Sequence, residues 1–111
     1  MPERYTPDQA RALMAKHQGH QPESVVLDQC RSYLRTLGWM VVRMQQGMGC
    51  HKGLADLYCL HNGRSLWVEC KATKGRQSDY QRAFEADVKG HGGEYIVVNS
   101  IDMLIDKLRE V

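Results

Sequence analysis

The sequence has 111 residues, of which 42% are hydrophobic and 25% are charged, and its formal net charge is +2. This length suits one domain and is too short for two. We therefore expect one domain over residues 1–111, with a helical extension over residues 1–20. Since no apolar stretch approaches the ~20 residues that cross a bilayer, and the first residues lack a signal peptide's apolar core, we expect a cytoplasmic protein.

Two helices are predicted in the first third of the chain. Thr6 is a suitable N-cap for a helix that has Pro7 at its first position and runs to about Lys16. A second helix opens near Pro22, carries apolar residues at helical spacing, and ends at Gly38.

The middle of the chain reads as β-structure. Residues 39–44 form a β-rich run, and residues 54–60 and 65–70 form two further strand-like runs. The linker between the last two, residues 61–64, contains the Asn-Gly pair typical of a tight hairpin. These two strands are therefore predicted to lie side by side.

The last third alternates helix and strand. Ser78 caps a predicted helix that runs to about Lys89, residues 95–98 form a buried strand, and Ser100 caps a final helix. The fold class is thus α/β, with a small mixed four-stranded sheet flanked by helices on both faces.

Three charged residues interrupt the predicted strands. Because side chains alternate along a strand, Glu69 and Lys71 share one face while Cys70 points to the other. Asp56 lies in the neighbouring strand-like run and would meet them across the hairpin. Buried charges are costly unless they are paired or bind a metal. Two carboxylates and a lysine would therefore converge, as divalent-metal phosphodiester chemistry requires.

Basic residues concentrate in the middle of the sequence. Residues 31–76 hold eight basic residues against two acidic ones, Asp56 and Glu69, which is a net charge of +6. A solvated face explains many such runs, but here the excess surrounds the candidate ligands and favours an anionic polymer as partner. The basic residues expected to contact nucleic acid are Arg43, Lys52, Lys74 and Arg76.

The four cysteines favour neither disulfides nor zinc. They contain no C-x-x-C pair and accompany no secretion signal, and their spacing with the nearby histidines matches no common zinc pattern. Cys59 and Cys70 are expected to be buried strand residues.

Five features follow one another along the chain. They are Glu23 with the helix-ending Gly38, Gly53-Leu54-Ala55-Asp56, Glu69-Cys70-Lys71, Gln81 and Gly92-Gly93. This order of motifs resembles the PD-(D/E)XK nuclease superfamily and, within it, the virus-type replication-repair nuclease (VRR-NUC) family. The resemblance extends from about Pro22 to Leu108 and departs from the family pattern at Ala55, where proline is usual.

The resemblance implies a restriction-endonuclease-like core and a Mg²⁺-dependent DNA endonuclease in which Mn²⁺ is expected to substitute. Small members of the family act on branched DNA such as four-way junctions, tend to be homodimers, and come mostly from phages or mobile elements in bacterial hosts. The larger relatives are DNA-repair nucleases.

The expected ligands of the metal are Asp56, Glu69 and the backbone carbonyl of Cys70, since Mg²⁺ prefers oxygen. Lys71 would hold the attacking water or stabilise the developing charge. Glu23 would act as a water-mediated ligand or in a second metal site. Gln81 would position the water or a phosphate oxygen.

Alternatives remain open at this point. Glu69 and Lys71 can form a simple ion pair on an edge strand, with Asp56 as a solvated turn residue. Glu23 also suits the first turn of a helix on electrostatic grounds alone. At the level of function, the alternatives are a catalytically silent DNA-binding module or a nuclease that acts on unbranched DNA or RNA.

Overall fold

A computed structural model describes residues 6, 20–45 and 51–110 of the chain. The predicted first helix and Cys50 lie outside the described residues, as does nearly all of the predicted extension over residues 1–20. The described helices are α1 (Glu23–Thr36), α2 (Asp79–Gly90) and α3 (Ile101–Glu110), and the described strands are β1 (Met40–Arg43), β2 (Leu57–His61), β3 (Arg64–Cys70) and β4 (Tyr95–Val98).

The four strands form one mixed sheet in the order β1-β2-β3-β4. The first three strands pair antiparallel, and β3 pairs parallel with β4 through the crossover helix α2. The predicted mixed four-stranded sheet is confirmed. Strand β3 lies in the interior of the sheet, with a hydrogen-bonded neighbour on each side.

The predicted hairpin joins β2 to β3. Asn62 and Gly63 have φ values of 51° and 81°, which a two-residue type I′ turn requires at both positions. Register follows from this turn, so Tyr58 lies opposite Trp67 and Leu57 lies opposite Val68. The hairpin thereby brings the segment before β2 next to the end of β3.

The two faces of the sheet carry different layers. Alternate β-strand residues, among them Leu57, Leu66 and Val68, form the main core with apolar residues of α1 and α3. The other face packs Trp67 and Tyr95 with residues of α2 in a smaller cluster. The prediction of helices on both faces is therefore confirmed, and Cys59 and Cys70 are buried in the main core as expected.

Several element boundaries differ from those predicted. Strand β2 begins at Leu57, so the predicted strand is wrong at residues 54–56, and Asp56 precedes the strand instead of interrupting it. The reason is that the Asp56 side chain accepts the backbone N–H of Cys70 on the neighbouring strand. Helix α1 ends at Thr36, two residues before Gly38, whose φ of 97° suits the turn that follows.

None of the helices within the described ranges has the length and apolar character of a membrane-spanning segment.

Candidate active site

Four of the predicted side chains meet on the face of the sheet that α2 covers. Asp56 directly precedes β2, Glu69 is the penultimate residue of β3, and Lys71 directly follows that strand. Gln81 comes from the first turn of α2. Glu69 is 1% exposed and Asp56 is 9% exposed. Two carboxylates have thus been removed from water at the end of an interior strand.

One ammonium and one side-chain amide contact the same oxygen of Glu69. Lys71 Nζ lies 2.9 Å from Glu69 Oε2, and Gln81 Nε2 donates to that atom at 2.7 Å. Among the described residues, none donates a hydrogen bond to Glu69 Oε1, although this atom is buried. A buried carboxylate oxygen without a donor is costly. The Glu69 carboxylate is therefore satisfied on one side only.

Asp56 is held in a similar one-sided way. Its Oδ2 accepts the backbone N–H of Cys70 at 2.8 Å. Its Oδ1 lies 3.7 Å from the guanidinium of Arg43, which is longer than a hydrogen bond. Each carboxylate is thus anchored by a short hydrogen bond to one oxygen; Glu69 Oε1 is buried without a donor among the described residues, whereas Asp56 Oδ1 has the more distant guanidinium of Arg43 as an ion-pair partner.

This donor set fits a hard divalent cation. Mg²⁺ binds through one or two carboxylates and retains several waters, so it does not need a cage made entirely of side chains. Within residues 20–45 and 51–110, no three His, Cys, Asp or Glu side chains are grouped closely enough to hold a metal ion. The two carboxylates that would hold such an ion are Asp56 and Glu69, and a cation bound there would satisfy the buried Glu69 Oε1.

Burial dominates the electrostatics of Glu69. The pKa of this carboxyl is raised from its ordinary value of 4.5 to about 7, chiefly by desolvation and next by the negative charge of Asp56. The hydrogen bond and charge of Lys71 oppose the shift, and Glu23 adds to it. The raised pKa shows that Lys71 compensates only part of the cost of burying the charge.

Gln81 connects this site to the start of helix α2. Its backbone N–H donates to Ser78 Oγ, and its side-chain Oε1 accepts the backbone N–H of Ser78, which completes a capping box. The remaining amide nitrogen donates to Glu69. Either Glu or Gln completes a capping box, but only Gln also offers a donor to a carboxylate. The predicted proximity of Gln81 to the site is thus explained by two bonds at one side chain.

Gly53 allows α2 to approach the loop before Asp56. Gly53 has a φ of 81°, and a Cβ at this position would lie 2.1 Å from the backbone oxygen of Tyr80 and 2.9 Å from the backbone nitrogen of Gln81. Only glycine fits such a contact. The match of Gly53 to the family motif therefore has a steric basis in this chain.

Glu23 stands apart from the two buried carboxylates. It is exposed at the first position of α1, yet close enough for its charge to raise the pKa of Glu69. Reciprocal bonds between Gln21 and Thr73 tie the start of α1 to the segment after Lys71. Among the described residues, Glu23 does not form a group of potential metal ligands with Asp56 and Glu69, and its role as a water-mediated ligand or in a second metal site stays a prediction.

The basic residues predicted to contact nucleic acid lie around this site in different ways. Arg43, at the end of β1, is next to Asp56. Lys52 precedes Gly53 and lies over the ring of Tyr80. Lys74 and Arg76 are exposed on the connector between β3 and α2.

The simple ion-pair interpretation is contradicted on two counts. Strand β3 is interior and not an edge strand, and Asp56 is buried and not a solvated turn residue. Sequence reasoning missed the link of Arg43 to Asp56, the contact of Gly53 with Tyr80, and the pairing of Gln21 with Thr73. A glycine in the sequence can indicate a position with positive φ, so the conformation of Gly53 could have been anticipated. The other two contacts join segments that are distant in sequence, and no local pattern indicates them.

The fold is similar to that of a solved structure described as a VRR_NUC domain. The two superpose with a TM-score of 0.67 and share 27% sequence identity, over 79% of this chain and 94% of that chain. No protein-family model matches the sequence, and no curated protein matches it significantly. The structural likeness supports a relationship with the VRR-NUC family, in agreement with the resemblance in the motifs, and it is consistent with an α/β nuclease core.

The double role of Gln81 gives a first prediction. In Gln81→Glu, the capping box is retained but a second carboxylate replaces the donor to Glu69. We expect this variant to lose about 1–3 kcal/mol of unfolding free energy at about pH 8, measured by urea denaturation. Gln81→Ala is the control, since it removes cap and donor without adding charge. A Gln81→Glu protein as stable as the wild type at this pH would contradict the assigned contact.

The raised pKa of Glu69 gives a second prediction, for protein kept in chelator. The folded state binds this proton more tightly than the unfolded state, so Glu69 favours folding at low pH and loses that contribution as the pH rises from about 4.5 to about 7. Glu69→Gln lacks this term. The stability of the variant relative to the wild type should rise across the window, by on the order of 3 kcal/mol in total.

Thermal or urea unfolding of both proteins at several pH values measures this difference. A difference that stays constant between about pH 4.5 and pH 8 would show that Glu69 titrates normally in the folded protein.

Proposed function

We propose that this protein is a metal-dependent endonuclease that hydrolyses phosphodiester bonds in DNA. The carrying observation is the pair of buried carboxylates, Asp56 and Glu69, each anchored through one oxygen, beside the ammonium of Lys71. The similarity to a VRR_NUC domain supports a nuclease-type fold. A structural ion pair alone would not explain why a second buried carboxylate lies beside the first.

The proposed metal is Mg²⁺, with Mn²⁺ able to replace it. Asp56, Glu69 and the carbonyl of Cys70 would hold it, and Glu23 would contribute through water. When bound, the ion lowers the pKa of a coordinated water and offsets charge on the scissile phosphate. The Cys70 side chain lies in the core on the opposite face, so only its backbone is available to the site.

Lys71 and Gln81 have the two remaining roles, charge stabilisation and positioning. The Lys71 ammonium is fixed against Glu69 Oε2 by its ion pair, and its other N–H groups can reach a water or a phosphate oxygen. A preorganised cation of this kind stabilises negative charge that develops during phosphodiester cleavage. Gln81 holds the Glu69 carboxylate in place from the helix side and can also donate to the water or phosphate.

The exposed basic residues indicate where a nucleic acid backbone would lie. Arg43 is 40% exposed next to Asp56, and Lys52 is exposed on the loop that precedes Gly53. Lys74 and Arg76 extend the positive surface along the connector that follows Lys71. Phosphate contacts by such residues position DNA without reading its sequence. A structure-specific nuclease for branched DNA, in the cytoplasm, is the form of this activity that we propose.

A cleavage assay tests the proposal directly. Labelled four-way junction, flap and linear duplex DNA, and a labelled RNA, are incubated with the protein, with Mg²⁺ or with chelator. We expect cleavage only with the metal and more strongly on the branched substrates. Lys71→Ala should lower the rate on the order of 100-fold or more, because it removes a charge that stabilises the transition state, while DNA binding stays nearly intact.

Lys89→Ala is a matched control, since Lys89 is an exposed lysine at the far end of α2 and its loss should leave cleavage unchanged. Absence of metal-dependent cleavage on every substrate, RNA included, together with retained binding would favour the silent DNA-binding module. Loss of binding and cleavage together in Lys71→Ala would assign this residue to a phosphate contact only.

We further propose that the active form is a homodimer. One domain of 12.7 kDa offers one site, whereas symmetric cleavage of both strands at a junction needs two. Light scattering during size-exclusion chromatography should give about twice the monomer mass at assay concentrations. A monomeric mass for protein that still cuts both strands of the junction would contradict the dimer.

A further inference from the structure

An exposed aromatic residue stands in the first turn of α2, one position before the glutamine that reaches the candidate site. Tyr80 is 58% exposed and immediately precedes Gln81, whose amide donates to Glu69. Single exposed aromatic residues are common on protein surfaces and by themselves indicate no ligand. The surroundings of this ring supply the further evidence.

A lysine ammonium lies over the ring. Lys52 Nζ is 4.8 Å from the centre of the Tyr80 ring and 3.5 Å from its hydroxyl oxygen. A cation at this distance is attracted by the π-face and favours one orientation of both side chains. One face of the ring therefore carries the positive charge, and the opposite face of this exposed side chain is the one that could receive a base.

The backbone fixes this surface relative to the carboxylates. Gly53, the neighbour of Lys52, packs so closely on Tyr80 and Gln81 that a Cβ would lie 2.1 Å from the Tyr80 carbonyl oxygen. The same glycine leads within three residues to Asp56. The loop that carries Lys52, the helix that carries Tyr80, and both carboxylates are thus held as one unit.

We propose that Tyr80 and Lys52 bind one unpaired nucleotide of the DNA substrate next to the phosphate that is cleaved. The base would stack on the Tyr80 ring, and the phosphate of that nucleotide would pair with the Lys52 ammonium. Stacking on an aromatic ring tolerates any base, because every base has a π-face. This inference rests on the proposed nuclease function and specifies its substrate.

The geometry of the bases then selects the class of DNA. In a continuous duplex, both faces of each base are covered by its neighbours, and a side chain can stack only on a base that has left the helix. Flaps, frayed junction arms and single strands offer such a base, while a fully paired linear duplex does not. Tyr80 therefore favours branched or single-stranded DNA over linear duplex.

The test uses the full chain with Ca²⁺ in place of Mg²⁺, and flap DNA that carries 2-aminopurine as an unpaired base at the branch. The emission of 2-aminopurine falls when it stacks, so the wild-type protein should quench the unpaired probe on binding. Tyr80→Leu should abolish the quench and weaken flap binding roughly 10-fold, while affinity for linear duplex changes little. Tyr80→Phe, which keeps the ring, should quench as the wild type does.

Lys52→Ala should weaken binding to all DNA and lower the salt dependence by about one phosphate contact, with Lys89→Ala as the matched control. The proposal is overturned if Tyr80→Leu quenches and binds like the wild type, or if Tyr80→Phe is as defective as Tyr80→Leu. Because the wild-type signal is itself a test, it does not depend on the folding of any variant.

The two proposals fail in distinguishable ways. Quenching without cleavage in Mg²⁺ would leave the nucleotide platform in place and reject the nuclease. Cleavage without quenching would retain the nuclease and reject the platform. Absence of DNA binding altogether would reject both.

Discussion

The arrangement of this site depends on one energetically unfavourable feature, the burial of the Glu69 carboxylate at the end of an interior strand. Removing such a charge from water costs several kcal/mol unless partners replace the lost hydration. Lys71 and Gln81 supply partners for Oε2 alone. The nearby charge of Asp56 adds to the cost, because it raises the pKa of Glu69 further. The cost of burying Glu69 is offset elsewhere in the fold, by the apolar core that α1 and α3 form with the opposite face of the sheet.

Local structure and site are built from the same bonds. The Asp56 carboxylate takes the N–H of Cys70, and this contact orients one candidate ligand while β2 begins only at the next residue. The side chain of Gln81 closes the capping box of α2 and contacts Glu69. Since each bond serves both purposes, a change that disturbs the site also disturbs the end of a strand or the start of a helix. Stability and activity are therefore expected to be coupled at these positions.

Much of this arrangement could be predicted from short-range sequence patterns. Alternation placed Glu69 and Lys71 on one face, the Asn62-Gly63 pair set the hairpin register, and Ser78 marked the start of α2. Those signals depend on neighbours a few residues apart, which a sequence displays directly. The contact of Gly53 with Tyr80 and the bonds between Gln21 and Thr73 join segments that are distant in sequence, so no local pattern reveals them. The start of β2 was misplaced for a related reason, because the Asp56 side chain takes the backbone N–H of Cys70 on the neighbouring strand in place of regular strand pairing.

The one-sided satisfaction of the carboxylates is the strongest argument against a purely structural site. A stabilising network gains most when every buried acceptor finds a donor, and a half-satisfied one is less stable than an apolar replacement. Here the protein anchors one oxygen of each acid firmly, leaves Glu69 Oε1 buried without a donor among the described residues, and offers Asp56 Oδ1 only the longer ion pair with Arg43. A buried carboxylate oxygen without a donor is expected where a bound cation would complete the site. The exposed surface of Tyr80 and Lys52 lies on the loop and helix that pack together at Gly53, and the same loop leads to Asp56 while the same helix carries Gln81. The residues that would recognise a strand and those that would cut it are therefore carried by the same two segments.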